Sequence, residues 1–320
     1  MNKKSTTAII GYGSQGRPWA LNLRDSGRNI VVGIPSSDVS RRTAKKDKIK
    51  NITTVGTAVK NSDIIIFTFP DHLHGRVFDK EIRPNLKPKS ALVFLHGFSV
   101  HFKTVIPPKD CNVILLAPLG PGLAVREKYL KKESVGFFYC IHQDASGKAG
   151  QILNGLIKDL RIDKKTMIKT TFEDEAIGDI FGEQAVLCGG MSQLVKTGFE
   201  TLVEYGLSPE KAYLEVAYQL DLLVDLMKKY GIEGMFRRIS VSAMYGSLLA
   251  GPKIIDKSTR KKMRAALNDI KSGKYARKLN SLTPAKIKKL HTQLDKISSP
   301  SFEKAAKKFS PTAAKKKRQN

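Results

Sequence analysis

Apolar and polar positions divide the chain into two stretches of different period. Up to about residue 171, short apolar runs recur, each closed by turn residues: Ala8 to Ile10, Asn29 to Ile34, 63–70 (DIIIFTFP), 90–98 (SALVFLHGF), 112–122 (NVILLAPLGPG) and 136–142 (GFFYCIH). Runs of this length without polar alternation are the pattern of strands buried on both faces, as in a parallel sheet. Beyond 171 the strand-like runs largely stop. Segments 180–205, 210–230 and 232–249 space their apolar residues at the helical period, with breaks at 206–209 and at Gly231. Ser208 before Pro209 and Glu210 has the form of a helix start. Leu222, Leu223 and Leu226 are expected to form a packed face, and 261–279 reads as one more helix.

The first strand feeds a glycine turn. Gly11-Tyr12-Gly13-Ser14-Gln15-Gly16 has the GxGxxG spacing between an apolar run and a helical one. Gly11 permits the tight turn, Gly13 lets backbone approach a pyrophosphate, and Gly16 allows close helix–strand packing, with free N–H groups at the helix start facing phosphates. An acid at the end of the second strand would hold a ribose 2′-hydroxyl and favour NAD. Here that end reads IPSSDVSRR, so Ser36, Ser37, Arg41 and Arg42 could receive a 2′-phosphate, which favours NADPH over the alternative left open by Asp38. The expected fold is α/β: a Rossmann-type dinucleotide-binding domain over 1–171, then an all-helical domain over 172–280, then a basic, partly disordered tail over 281–320.

The helical half carries the candidate chemistry. Asp179 and Glu183 stand four apart in GDIFGEQAVLCGG, so on a helix both carboxylates leave the same face and could hold one hard cation. A solvated helix face is the plainer alternative. Glu215 and Gln219 repeat the spacing. In the first half, Pro70, Asp71, His96 and the 118–122 loop fall at C-terminal strand ends, where open α/β sheets bind ligands. His142 closes a further run.

Composition then bounds the partners. A chain of 320 residues, 41% of them hydrophobic, can bury two cores. No apolar run is long enough to span a membrane and no signal-peptide pattern opens the chain, so a soluble, cytoplasmic protein is expected. Cys111, Cys140 and Cys188 match neither a disulfide framework nor a zinc knuckle and are expected as buried thiols. The net charge is +27, and residues 251–320 hold 21 lysines and arginines against 4 acids, leaving a surplus of 10 for the rest. That segment could bind polyanions such as nucleic acid without sequence preference, or simply keep the protein in solution.

Together these blocks resemble a known family over roughly residues 5–280. GYGSQG with ALNLRDSG (20–27), HGFSVHF (96–102), APLGPG (117–122), HQDASG (142–147), GDIFGEQAVLCGG (178–190), VKTGFETLVEYG (195–206) and AYLEVAYQLDLLVDL (212–226) look like the class I ketol-acid reductoisomerases. The resemblance implies an NADPH- and Mg²⁺-dependent enzyme of branched-chain amino-acid synthesis. A 2-acetohydroxy acid undergoes alkyl migration, and the resulting 2-keto acid is reduced to a 2,3-dihydroxy acid. It implies that Asp179 bridges two metals, Glu183 holds the first, and Glu215 serves the second from the other subunit of a homodimer or larger homo-oligomer. Ser240 matches a serine that contacts the substrate carboxylate, and His96 a histidine at the nicotinamide edge; without the family, His96 reads as a packed turn residue.

Departures from the family pattern are specific. Leu119 replaces an active-site lysine in APLGPG, Leu123 and Ala124 follow where a polar pair is usual, Gln219 replaces an acid, and Arg17 and Trp19 replace histidines. A preorganised cationic donor is typically worth about 10²–10³ in rate, and leucine supplies none. The alternative function is a diverged member without isomerase activity, reducing another 2-keto acid or serving as a non-catalytic binding protein with a basic tail.

Overall fold

The computed structural model describes residues 5–294 and 296–310. The chain divides into two compact units: residues through Asp179 with Gly273–Ser281, and Ile180–Ser272 with the segment from Leu282 onward. The first compact unit thus runs past the expected 171/172 domain boundary and takes in the short piece Gly273–Ser281.

The first unit is built on eight strands: β1 (Thr7–Ile10), β2 (Ile30–Gly33), β3 (Ile52–Thr53), β4 (Ile64–Phe67), β5 (Ala91–Phe94), β6 (Asn112–Pro118), β7 (Phe137–Gln143) and β8 (Met167–Lys169). Their order is β3-β2-β1-β4-β5-β6-β7-β8, parallel from β3 to β6. β7 runs antiparallel to β6, and β8 is parallel to β7. The apolar runs are continuous because both faces are covered. Ile9, Ile64, Ile66, Val93, Ile114 and Leu116 face one core, and Ala8, Ile10, Ile65, Phe67, Leu92, Phe94, Val113 and Leu115 face the other.

The intervening helices are α1 (Gly16–Asp25), α2 (Ser40–Lys46), α3 (Val55–Lys60), the one-turn α4 (His74–Val77) and α5 (Phe98–His101), α6 (Gly122–Leu130) and α7 (Ala149–Asp159). Trp19 and Leu23 of α1, Val125 of α6 and Leu156 of α7 fill the first core, while Val55, Ala58 and Val59 of α3 fill the second. The strand order reverses between β1 and β4, so the glycine turn lies at the switch point of the sheet, where such folds bind ligands. α8 (Phe172–Gly182) begins in this unit, and its Phe172 and Ala176 are buried.

The second unit is helical throughout its described residues. A π-helical turn, Glu183–Leu187, precedes α9 (Gly189–Glu204); α10 (Pro209–Tyr213) leads into a second π-helical turn, Leu214–Tyr218, and then α11 (Leu220–Phe236). α12 (Val241–Ile254) and α13 (Lys257–Lys271) follow. Ser208 caps α10 by accepting the Lys211 N–H, and Gly231 breaks α11 at φ 75°, both where the sequence placed them. Gly273, also left-handed at φ 71°, separates α13 from α14 (Lys274–Asn280), which packs in the first unit against Asp71–Leu73.

The basic segment is more structured than expected, carrying α15 (Pro284–Leu294) and α16 (Pro300–Phe309). α16 docks on α10: Phe302 meets Phe199 and Tyr213 edge-on, Phe309 stacks on Tyr213, and Lys308 pairs with Glu210 at 3.3 Å. The last basic run, 311–320, lies outside the described residues.

Two local expectations are corrected. Leu222 and Leu223 are 60% and 41% exposed, so the apolar face of α11 is not packed within the chain. Of the three thiols only Cys111 is buried, Cys140 is intermediate and Cys188 is exposed, because the π-helical turn leaves Cys188 at a surface junction. No helix among the described residues is long and apolar enough to cross a membrane.

Candidate functional site

The glycine turn has the geometry its spacing predicts. Gly11 adopts φ +96°, a conformation in which other L-residues are strained. A Cβ on Gly16 would lie 2.5 Å from the Gly11 carbonyl oxygen and 2.6 Å from Thr68 Oγ1, so only glycine lets α1 approach β1 and β4 this closely. Gly13 is the opposite case, with no atom within 4 Å of a Cβ built on it, and Ser14 beside it is exposed. Space for a pyrophosphate is open on that side. The loop after β6 closes the other flank: Gln15 Nε2 donates to the Gly120 carbonyl at 3.1 Å, and a Cβ on Gly122 would run into the Ser14 carbonyl. These residues therefore fit a dinucleotide.

Past β2, Ser36 and Ser37 are exposed, and Arg41 is half-buried with Nη1 donating to the Ile34 carbonyl. Asp38 is occupied locally, its Oδ1 accepting the Ser40 N–H at 2.8 Å. Asp38 is itself exposed, so the loop after β2 presents two hydroxyls, a guanidinium group and one carboxylate.

His96 follows β5 and lies among carboxylates drawn from distant parts of the chain. Its Nδ1 stands 3.2 Å from Asp71 Oδ2, and its Nε2 lies 3.3 Å from Asp179 Oδ2. That second contact lacks hydrogen-bond geometry, so Nε2 is buried without a hydrogen-bond partner. Burial alone would push the imidazole pKa down. The hydrogen bond to Asp71 and the charges of Asp71, Glu175 and Asp179 reverse this and carry it up to about 9. Glu175, 5% exposed, is lifted by burial to about 7 despite the opposing His96 charge. Asp179 is likewise raised by burial, against the pull of His96. Asp71 is the reverse: burial would raise it, but the hydrogen bond and charge of His96 hold it low.

Glu175 also fixes the turn. Its Oε2 accepts the Gly97 N–H, and a Cβ on Gly97 would meet both that oxygen and the Phe172 carbonyl. The sequence marked Asp71 only as a strand-end residue and did not single out Glu175. Only tertiary structure brings them to His96, although their positions at a strand end and in the first turns of α8 were the available signal.

The remaining candidates lie in the helical unit. Glu183 opens the first π-helical turn, and Glu215 lies in the second, with Gln219 at its end; all three are exposed. The extra residue of a π turn disturbs the four-residue facing assumed for an α-helix, and such turns concentrate at functional sites. Gln219 Nε2 donates to the Leu214 carbonyl at 3.2 Å, a bond that an ionised carboxylate there could not make. Ser240 caps α12, its Oγ accepting the Ala243 N–H at 3.1 Å. As a donor set, Asp179, Glu183, Glu215 and the Gln219 carbonyl are all oxygen and suit a hard divalent cation. Among the described residues, no group of three or more histidine, cysteine, aspartate or glutamate side chains is gathered to hold a metal.

The residues expected to depart from the family pattern have distinct surroundings. Arg17 makes a two-pronged pair with Asp47, at 2.6 and 2.9 Å, and Trp19 is fully buried edge-on to Phe137. Leu119 and Leu123 remain 47% and 69% exposed, the former lying along Gly136. A cavity of about 440 Å³ opens at the opposite, N-terminal edge of the strands, between Arg28, Asp63, Lys89 and Lys148, and includes none of the candidate residues.

Similarity to known proteins extends over both units. Residues 1–160 match the family described as acetohydroxy acid isomeroreductase, NADPH-binding domain, and residues 172–313 match ketol-acid reductoisomerase, C-terminal domain. The ketol-acid reductoisomerase (NADP(+)) of Saccharolobus solfataricus is 45% identical over 274 residues, covering 86% of this chain and 82% of its own. That of Petrotoga mobilis is 43% identical over 275 residues, covering 86% and 83%. Among solved structures, an NADH-preferring ketol-acid reductoisomerase from an uncultured archean superposes with a TM-score of 0.89 at 34% identity, covering 96% of this chain and 95% of that one.

Proposed function

Because this chain belongs to the ketol-acid reductoisomerase family, we propose that it carries out the family reaction in full: Mg²⁺-dependent alkyl migration in a 2-acetohydroxy acid, then NADPH reduction to the 2,3-dihydroxy acid. The observation that carries the reading is the 3.3 Å approach of His96 Nε2 to Asp179. A residue at the end of a cofactor-binding sheet and a carboxylate suited to a cation occupy one spot, as an enzyme coupling the two chemistries requires. Departures at Leu119 and Gln219 do not outweigh identity of 43–45% to reductoisomerases across most of the chain.

The glycine turn holds the pyrophosphate, with Gly13 leaving room for it and α1 presenting its N–H groups. Ser36, Ser37 and Arg41 receive the 2′-phosphate, and this favours NADPH even though one relative of the same fold is described as NADH-preferring. Asp179 and Glu183 hold Mg²⁺, while Glu215 and Gln219 contribute from a second copy of the chain. When bound, Mg²⁺ polarises hydroxyl and carbonyl oxygens, and NADPH supplies hydride. Asp71 orients His96 through Nδ1, which turns Nε2 toward Asp179 and the oxygen that gains negative charge. Ser240, at a helix N-terminus, meets the substrate carboxylate, where the helix dipole also favours an anion. The second copy covers the apolar surface of α11 and α12, where Leu222, Met227, Val241, Tyr245 and Leu248 are exposed.

NADPH oxidation with Mg²⁺ tests the proposal by comparing 2-acetolactate with the already rearranged 3-hydroxy-3-methyl-2-ketobutyrate. Turnover of both is expected. Turnover of the second alone would remove the isomerase half, and turnover of neither would reject the reading.

A further inference from the structure

Asp47 follows α2, and three side chains of the nucleotide-binding region converge on it through four donor atoms. Arg17 Nε and Nη2 donate to its two carboxylate oxygens at 2.6 and 2.9 Å, and the Tyr12 hydroxyl donates to Oδ2 at 3.0 Å. Arg24 Nη1 donates to its backbone carbonyl at 2.6 Å. Tyr12 lies inside the glycine turn itself and is only 4% exposed, while Arg17 and Arg24 lie on the first and last turns of α1. The Asp47 side chain is 14% exposed, so the carboxylate is largely shielded and fully employed.

The position of Asp47 matters more than the strength of any one bond. α2 begins a few residues after Ser36 and Ser37 and contains Arg41, the groups proposed for the 2′-phosphate. The glycine turn is the pyrophosphate cradle. One carboxylate therefore ties the end of α2 to the turn at the start of α1, joining the two halves of the dinucleotide site by side-chain bonds additional to the β1–β2 ladder. A bidentate guanidinium–carboxylate pair fixes direction as well as distance. We infer that Asp47 is a positioning residue for the dinucleotide, holding Tyr12 and Arg17 so that the glycine turn and the 2′-phosphate loop keep the register a bound cofactor needs.

The inference rests on the NADPH reading and is tested by NADPH binding, followed by fluorescence titration on full-length protein. Asp47→Asn is expected to weaken NADPH about tenfold, the order of effect seen when neighbouring groups are uncoupled. Arg17→Met should give a similar loss, and the double variant little more than either single one. Amide exchange in residues 11–17 of the unliganded protein should quicken in Asp47→Asn. Asp159→Asn is the control for a general loss of stability, since it breaks another arginine–carboxylate ion pair of this unit, in which both Arg28 nitrogens meet the Asp159 Oδ2. It should lower the melting temperature while leaving NADPH affinity within about twofold. Three results would overturn the inference: native NADPH affinity in Asp47→Asn; losses that add in the double variant, meaning Arg17 touches the cofactor itself; or equal weakening by Asp159→Asn. A wild-type protein that does not bind NADPH would sink the cofactor reading, and this inference with it.

Discussion

Gly13 and Gly16 belong to one motif, yet adding a methyl group to each should have opposite consequences. At Gly16 the new Cβ would stand 2.5 Å from Gly11 O, 2.6 Å from Thr68 Oγ1 and 3.0 Å from the Gly11 carbon, whereas ordinary contact begins at 3.4 Å. Two of these atoms are backbone, and the Thr68 hydroxyl is committed to Ile10 O at 2.7 Å, so none can swing aside. Relief requires α1 and the turn to separate by about 0.9 Å, the kind of overpacking that typically costs about 1–3 kcal/mol. Alanine's better helix propensity returns up to about 1 kcal/mol. Gly16→Ala should therefore destabilise by about 1–2 kcal/mol, lowering the melting temperature by roughly 3–6 °C, and the displaced turn should also bind NADPH poorly. Gly13→Ala meets nothing within 4 Å, so stability should hold to about 0.5 kcal/mol, and the methyl should instead occupy the space the pyrophosphate needs. Calorimetry and an NADPH titration on the same two proteins separate the cases. The reasoning fails if Gly16→Ala melts like wild type, or if Gly13→Ala loses as much stability as Gly16→Ala.

Other consequences are more direct. The hydrogen bond from Arg17 lowers the Asp47 pKa in the folded protein, so this pair stabilises above the ordinary carboxylate pKa and its contribution disappears as pH falls through the lowered value. With Arg17 half-exposed the contribution is at most about 1 kcal/mol; acid unfolding of Arg17→Met should show a correspondingly shallower loss of stability below about pH 4. Phe302→Ala removes the ring between Phe199 and Tyr213 and should cost roughly 2–3 kcal/mol for a partly exposed aromatic, measurable by denaturant unfolding; a loss under about 0.5 kcal/mol would mean α16 is only loosely docked. Gln219→Glu should tighten Mg²⁺ binding in calorimetric titration by restoring charge, though it gives up the bond to Leu214 O. Paired with Leu119→Lys it should raise 2-acetolactate turnover more than either change alone, and no gain from the pair would place the divergence elsewhere in the pocket.

The parts of the fold readable from the chain were those set by local pattern. Strands β1, β2, β4, β5, β6 and β7 follow from apolar runs, and the glycine turn from its spacing. β3, of two residues, and β8, of three, are too short to carry a period and form only because neighbours pair with them. π-helical turns at Glu183–Leu187 and Leu214–Tyr218 were not legible, since apolar spacing cannot separate a single inserted residue from an ordinary helix. Nor was the setting of His96. Asp71 is 25 residues away and Glu175 is 78 from Gly97, separations that only the sheet closes. Return of Gly273–Ser281 to the first unit is similarly non-local.

The departures from the family pattern, which looked alike as substitutions, separate once their surroundings are known. Arg17 and Trp19 are accounted for within the first unit by the Asp47 pair and the contact with Phe137. Both side chains are used by the fold itself. Leu119 is different: a leucine half-exposed at a C-terminal strand end buries little and makes no polar bond through its side chain. Gln219 is intermediate, since its amide nitrogen serves the π-helical turn while its carbonyl oxygen remains an available donor type for a cation. Of these four positions Leu119 therefore contributes least to the folded chain, so the effect of a leucine there is to be sought in what the site binds.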